Sequence, residues 1–290
     1  MDTPESNPAQ TAATPAPDAT AGPIAQTTGP QETPADTGNA EAAAAPQGFD
    51  ALGLPAPVRE ALRVLGYEVP TPIQAECIPH ILAGRDILGQ AQTGTGKTAA
   101  FAVPLVSRID LDSPDPQVLV LTPTRELCAQ IDAHLQELAV HTPVTSAAVF
   151  GGVGMGPQEH ALRAGVDVIV ATPGRLLDHF RHPYAALKGL QVLVLDEADR
   201  MLDMGFLPDI KRVLRHIPAK RQTLFFSATM PAPIVALTRE LLHGPVTINL
   251  DRQAAPAVGI TQAAYPVDAK LKPLLLLALL RRGDMKSALV

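Results

Sequence analysis

Two short stretches of this 290-residue chain carry side chains whose spacing could do chemistry. The first is Ala91-Gln92-Thr93-Gly94-Thr95-Gly96-Lys97-Thr98, preceded by a candidate strand at 86–89 and followed by the helix formers Ala99, Ala100 and Phe101. A strand, a glycine turn and a helix in that order make a phosphate cradle. Backbone N–H groups turn inward around the oxygens, and the helix start adds its positive dipole end. Lys97 would then meet the β- and γ-phosphates, and the Thr98 hydroxyl would hold Mg2+. The usual G-x-x-x-x-G-K-S/T pattern is broken at its first position, where Ala91 replaces glycine. In the second stretch, Val192-Leu193-Val194-Leu195 runs into Asp196-Glu197-Ala198-Asp199. Carboxylates ending an apolar strand suit a nucleotide-hydrolysing site. Asp196 would bind Mg2+, largely through its water shell, and Glu197 would orient and deprotonate the attacking water. An acidic loop after a strand is commonplace by itself; beside a phosphate cradle it completes a site.

Such residues need a scaffold that brings separate strand ends together. From Phe49 onward, short apolar runs at 86–89, 118–121, 147–150, 166–170, 192–195, 223–226 and 246–250 alternate with helical-period segments. Near-continuous apolar strands separated by helices predict an α/β fold, a mostly parallel sheet with helices on both faces. Leu127, Ile131, Leu135 and Leu138 trace a packing stripe along one intervening helix. Residues 1–48 are rich in Ala, Pro, Thr, Gln and Gly and nearly devoid of branched apolar side chains. That composition cannot offset the entropy of ordering, so a disordered tail is expected.

Charge narrows the classes of partner. The net charge is −6, but six of the 29 acidic residues fall in the tail, which has no Lys or Arg; the remaining 23 balance the 23 basic residues. A neutral folded part must grip any nucleic acid with a few placed groups rather than a broad basic field. The longest apolar run, 274–280, is far too short to cross a bilayer, and the N-terminus lacks the basic and apolar parts of a secretory signal. A cytoplasmic protein is expected. Cys77 and Cys128 stand apart as core thiols, and the eight histidines form no metal-ligand spacing.

With both sites in view, the chain resembles the DEAD-box family of superfamily 2 RNA helicases, whose name is spelled by Asp196-Glu197-Ala198-Asp199. The resemblance runs from Phe49 to the end of the chain. Gly66-Tyr67-Glu68-Val69-Pro70-Thr71-Pro72-Ile73-Gln74 is similar to the family's Q motif. By that likeness Gln74 would read the adenine edge, with Phe49 and Tyr67 lining the base pocket, and ATP would be preferred over GTP. Thr122-Pro123-Thr124-Arg125 and Thr172-Pro173-Gly174-Arg175 resemble motifs Ia and Ib, which hold the RNA backbone at helix starts. Helix capping by the threonines is the plainer role for the same residues.

Gly151-Gly152-Val153-Gly154-Met155-Gly156 fails the dinucleotide G-x-G-x-x-G pattern and resembles the family's double-glycine element, where RNA backbone comes close. Ser227-Ala228-Thr229, placed after its strand, resembles motif III, which with Asp199 couples nucleotide and RNA states. The resemblance implies a RecA-like P-loop NTPase domain over residues 49–256, then a linker and the first part of a second RecA-like domain at 257–290. It implies ATP and Mg2+ as ligands, RNA as a sequence-independent partner, and a monomer. Arginine fingers would come from the second domain, so weak hydrolysis and no unwinding are expected of these residues alone. Two other readings share the motifs: an ATP-gated RNA clamp or assembly scaffold, and a DNA-directed motor of the same superfamily.

Overall fold

The computed structural model describes residues 48–92, 94–250, 263–282 and 287–289. The expected tail, apart from Gly48, lies outside the described residues, as do Thr93, the last residues of the expected domain (251–256) and 257–262 of the expected linker.

Seven strands form: β1 (Ile87–Gln90), β2 (Val118–Leu121), β3 (Ser146–Val149), β4 (Val168–Ala171), β5 (Val192–Leu195), β6 (Gln222–Ser227) and β7 (Val246–Asn249). Each overlaps one of the seven expected runs, with ends moved by a residue or two. Expected strand 166–170 starts late because the Asp167 carboxylate is turned to the Thr145 N–H and hydroxyl, at 2.8 and 2.9 Å. Ser227 corrects the expectation in a small way: it ends β6 rather than following it, paired with Gln90. The strand order is β3-β4-β2-β5-β6-β1-β7, and every neighbouring pair is parallel. All C-terminal strand ends therefore share one edge, where open α/β sheets hold their ligands.

The side-chain period of two divides the strands between two cores. Val118, Val120, Val168, Val170, Val192, Val194, Leu224 and Phe226 face α1 (Ala56–Val64), α2 (Pro72–Leu82), α3 (Lys97–Val106) and α4 (Arg125–Leu138). Leu119, Leu121, Ile169, Ala171, Leu193, Leu195 and Phe225 face the second layer. That layer holds α5 (Gly156–Ala164), α6 (Pro173–His179), α7 (Ala198–Asp203), α8 (Leu207–Leu214) and α9 (Ala232–Leu241). Helix α3 is apolar all round after Thr98 and is buried over almost its whole length, which anchors the phosphate loop at its start. On α4 the expected stripe is rotated slightly: Ile131, Leu135 and Leu138 are buried with Cys128, while Leu127 is only half-buried. The leucine-rich segment is a helix, α10 (Lys272–Arg282). Among the described residues no helix is long and apolar enough to cross a membrane.

Candidate functional site

The phosphate loop leaves β1 beside β6 and enters α3. Gly96 is its N-cap, with φ +93°, a conformation that favours glycine. A Cβ there would also lie 2.5 Å from the Gln74 amide nitrogen, so a side chain is excluded twice over. Lys97 is buried, and its ammonium folds back over the loop to donate to the Ala91 carbonyl at 3.0 Å. The departure at position 91 is thereby explained. The Ala91 methyl packs into the core while its backbone serves the loop, accepting from Lys97 and donating to the Ser227 carbonyl at 3.3 Å. Thr95 ties the turn to the Gln92 carbonyl at 2.8 Å, and Thr98 stands half-buried in the first turn of α3.

Gln74 is 2% exposed, and both ends of its amide are engaged within the chain. Its Oε1 accepts from the Thr71 N–H at 2.9 Å, and its Nε2 donates to the Gly96 carbonyl at 3.2 Å. It is thus a clasp between α2 and the phosphate loop: the Thr71-x-x-Gln74 spacing is that of a capping box, whereas nothing local points to the bond with Gly96. Two clefts flank that clasp. One, of about 640 Å3, is lined by Thr71, Pro72, Ile73, Gln92, Gly94, Thr95 and the end of β7. The other, of about 260 Å3, lies between Gly96, Thr98 and Ala99 on one side and Tyr67, Leu127, Gln130, Ile131 and His134 on the other. Tyr67 therefore reaches the loop, its hydroxyl 3.2 Å from His134 Nε2. Phe49 does not line either cleft; it is buried and supports the Tyr67 ring edge-on at 6.0 Å. Gln130 and His134 were missed in the sequence because the α4 stripe was read as packing alone, although they flank it at helical spacing.

Across β6 from the loop, Asp196 directly follows β5 and is 3% exposed. Burial pushes its carboxyl up to about 6, against the opposing pull of Lys97 and with a further push from Glu197. Strands β1 and β5 both pair in parallel with β6, so the cradle that leaves β1 and the acids that follow β5 lie on one edge of the sheet. Asp196 Oδ1 accepts from the Glu197 N–H at 3.0 Å. Glu197 is the sole non-glycine residue with positive φ among the described residues, at +50°. Strain of that kind costs on the order of 1–3 kcal/mol and persists where the surroundings over-determine it. Here it turns the Glu197 side chain back to Arg200 at 3.2 Å.

Asp199, Ser227 and Thr229 form one network. Thr229 donates to Asp199 Oδ2 from both its N–H and its hydroxyl at 2.8 Å, and Ser227 Oγ accepts from the Asp199 N–H at 3.2 Å. Burial pushes the Asp199 carboxyl up, but the Thr229 bonds outweigh it and hold the group below the usual carboxylate range.

The other half of the edge, at the ends of β2, β4 and β3, carries the cations. Thr124 caps α4, its hydroxyl accepting from the Leu127 N–H at 3.2 Å, and leaves exposed Arg125 at the first helical position beside Pro123. Arg125 leans across Gly152, where an added Cβ would strike its guanidinium, and over the Phe150 ring at 5.9 Å. What crowds Gly152 is therefore this chain's own arginine; the space over Gly151 and Gly174 is open. Thr172 and Pro173 are buried at the start of α6, with no capping bond from the Thr172 side chain. Arg175 donates to the Val153 carbonyl at 2.9 Å. The two cation-bearing helix starts and the double-glycine loop thus make one surface.

No group of three or more His, Cys, Asp or Glu side chains capable of holding a metal occurs among the described residues. One buried carboxyl and one hydroxyl, Asp196 and Thr98, instead fit Mg2+ completed by water and phosphate oxygens, which is how that ion is usually held.

An all-parallel sheet with a glycine cradle and strand-end carboxylates on one edge defines a RecA-like nucleotide-binding α/β domain. The family profile described as DEAD/DEAH box helicase matches residues 71–237. The chain belongs to the DEAD/DEAH box helicase family. It is 45% identical over 243 residues to the ATP-dependent RNA helicase DeaD of Klebsiella pneumoniae, covering 83% of this chain and 38% of that one. It is 42% identical over 224 residues to the ATP-dependent RNA helicase CshA of Listeria monocytogenes serovar 1/2a, covering 77% and 43%. The chain therefore spans less than half the length of these curated relatives. Among solved structures it is similar to a DEAD box protein from the hyperthermophile Methanococcus jannaschii, with TM-score 0.68, 35% identity, and coverage of 81% of this chain and 63% of that one.

Proposed function

We propose that this chain is the ATP-binding half of an ATP-dependent RNA helicase, holding ATP with Mg2+ on one half of the sheet edge and RNA backbone on the other. In this reading the described part of residues 49–256 is one RecA-like domain, and 257–290 lead into a second. The convergence of buried Lys97 and buried Asp196 across β1, β6 and β5 carries the proposal.

Lys97 lets go of the Ala91 carbonyl to meet phosphate, and the amides around Gly94–Thr98 supply further donors, with Thr93 expected among them. Thr98 and Asp196 hold Mg2+, which neutralises phosphate-oxygen charge when bound. Glu197 orients water and takes its proton. Asp199, tied to Ser227 and Thr229 at the end of β6, relays the nucleotide state. Pro123, Thr124, Arg125, Gly151, Gly152, Thr172, Pro173, Gly174 and Arg175 form the RNA surface. Contacts of that kind grip backbone and leave base sequence unread.

These residues alone are expected to turn ATP over weakly, so the experiment is ATP turnover with and without single-stranded RNA, on this chain and on one extended through a second RecA-like domain, for the wild type and Glu197→Gln. Loss of the base is expected to lower turnover by about 100-fold or more while ATP and RNA binding persist. Turnover untouched by Glu197→Gln would remove Glu197 from the chemistry.

A further inference from the structure

The double-glycine loop is held from behind by a buried polar chain that the RNA contacts do not include. At the end of β3 the Phe150 carbonyl accepts from Gln158 Nε2 on α5 at 3.0 Å. Gln158 Oε1 lies 3.1 Å from His179 Nε2, and His179 Nδ1 lies 3.0 Å from the Tyr184 hydroxyl. His179 is fully buried at the end of α6, and Gln158 is 6% exposed.

The direction of this chain follows from its end point. A carbonyl only accepts, so Gln158 must present its NH2 to Phe150 and its oxygen to His179. His179 then carries its proton on Nε2 and accepts from the Tyr184 hydroxyl at Nδ1. Every polar atom in the path is matched in that one arrangement. Just beyond the glycines, the Val153 carbonyl accepts from Arg175, which sits on α6 as well. The loop is thereby tied to α6 at both ends, with the Arg125 guanidinium lying over Gly152 between them.

We infer that His179 is a positioning residue for the RNA surface, fixing the Gly151–Val153 loop to the Arg175 helix through Gln158. The inference rests on the RNA-backbone reading proposed above. Neither His179 nor Gln158 reaches the open surface, so their effect on RNA passes through the loop. The charged and titratable groups around the imidazole are Arg175 and Asp178 on its own helix, Glu159 on α5, and His182 and Tyr184 beyond α6. Burial first, then Arg175, keeps the imidazole below its usual range. Adding a proton at Nδ1 would force the Tyr184 hydroxyl to reverse. The grip on RNA should therefore weaken only on acidification to below the usual histidine range.

The test uses the full 290-residue chain, a fluorescein-labelled oligouridylate for RNA affinity, a fluorescent ADP analogue for the nucleotide site, and amide exchange over 151–154. His179→Phe keeps the ring and removes the hydrogen bonds; Gln158→Leu breaks the same chain from the other side, should the first fail to fold. Each variant is expected to lose about tenfold in RNA affinity, equivalent to ~1.4 kcal/mol. Nucleotide affinity should stay unchanged and exchange at 151–154 should rise. Wild-type RNA affinity should fall on acidification, while that of His179→Phe stays flat over the same range. Variants that melt earlier yet bind RNA as tightly as wild type would reduce His179 to a stability residue and overturn the inference. An imidazole found protonated at Nδ1 by nitrogen NMR would also overturn it. A wild-type chain that binds no RNA would instead bring down the RNA-surface reading, and this inference with it.

Discussion

At the ends of β1, β5 and β6, charged and polar side chains are answered inside the chain: buried Lys97 by Ala91, buried Gln74 by Thr71 and Gly96, half-buried Asp199 by Thr229. At the ends of β2, β3 and β4, Arg125 stands exposed, and half-buried Arg175 donates to the Val153 carbonyl of the double-glycine loop. One edge of one sheet thus carries two electrostatic regimes. In the first, low exposure makes each charge costly and shifts its protonation, as with Asp196. In the second, water screens Arg125, and geometry is set by neutral groups: the glycines, the Thr124 cap and the chain behind Phe150. The contrast teaches that a compact triphosphate calls for preorganised charge, whereas a long polyanion calls for a shaped surface with a few cations left free.

The sharpest way to break that contrast is Asp196→Asn. Its carboxyl is raised in the folded state, so its contribution favours folding below the unfolded value near 3.8 and is lost as pH rises through about 6. The amide removes that loss, and the nucleotide-free protein should gain roughly 1 to 3 kcal/mol at pH 7 to 8 in urea melts. ATP turnover should fall by about 1000-fold, since the metal partner is gone. For the wild type, Mg2+-dependent nucleotide affinity should decline below pH 6, as the carboxyl takes up its proton. A destabilised Asp196→Asn would mean that the carboxylate is a structural asset, and that the buried regime is misread.

Lys97→Ala comes next. Nucleotide affinity should fall by about 100-fold, the loss of a charge-assisted phosphate contact in a low-dielectric site. The melting temperature without ligand should stay nearly unchanged, because among the described residues the hydrogen bond lost is to a loop carbonyl. Calorimetric titration and thermal melts read the two arms, and a collapse of the apo protein would make Lys97 part of the fold.

In the exposed regime, Gly152→Ala places a methyl against Arg125 at φ +83°. The left-handed conformation alone costs about 1–2 kcal/mol. RNA affinity should drop by about tenfold on that scale while ADP binding is untouched. Parallel losses at both sites would show that the two regimes are one.

Gln74→Ala has the smallest expected effect. ATP should weaken by a few-fold, and a purine nucleotide lacking the 6-amine by less, a difference of about 1 kcal/mol for one lost hydrogen bond. Equal losses would leave Gln74 as the clasp between Thr71 and Gly96 and remove base reading from its role.

Much of this was legible in order along the chain. The runs at β2, β4, β5 and β6 became central strands because near-continuous apolar side chains can be buried only between two helical layers, while β1, β3 and β7 alternate in burial toward the sheet's edges. The glycine cradle and the acids stood where those runs end. The strand at 166–170 was misjudged at its start, since Asp167 spends its carboxylate on Thr145, a contact 22 residues away. The α4 stripe was read as packing only, so Gln130 and His134 went unseen, and nothing in the local pattern joins Gln158 to His179.

The sequence by itself determined which residues could handle phosphate and metal and that a parallel α/β sheet would carry them, because those properties lie in local order and in the period of burial. Only the tertiary structure decided that Gln74 closes on Gly96, that Arg125 covers Gly152, and that Asp196 is buried enough to be raised. Each of these depends on distances between segments far apart in the chain, set by the strand order and by which helix lies over which strand end.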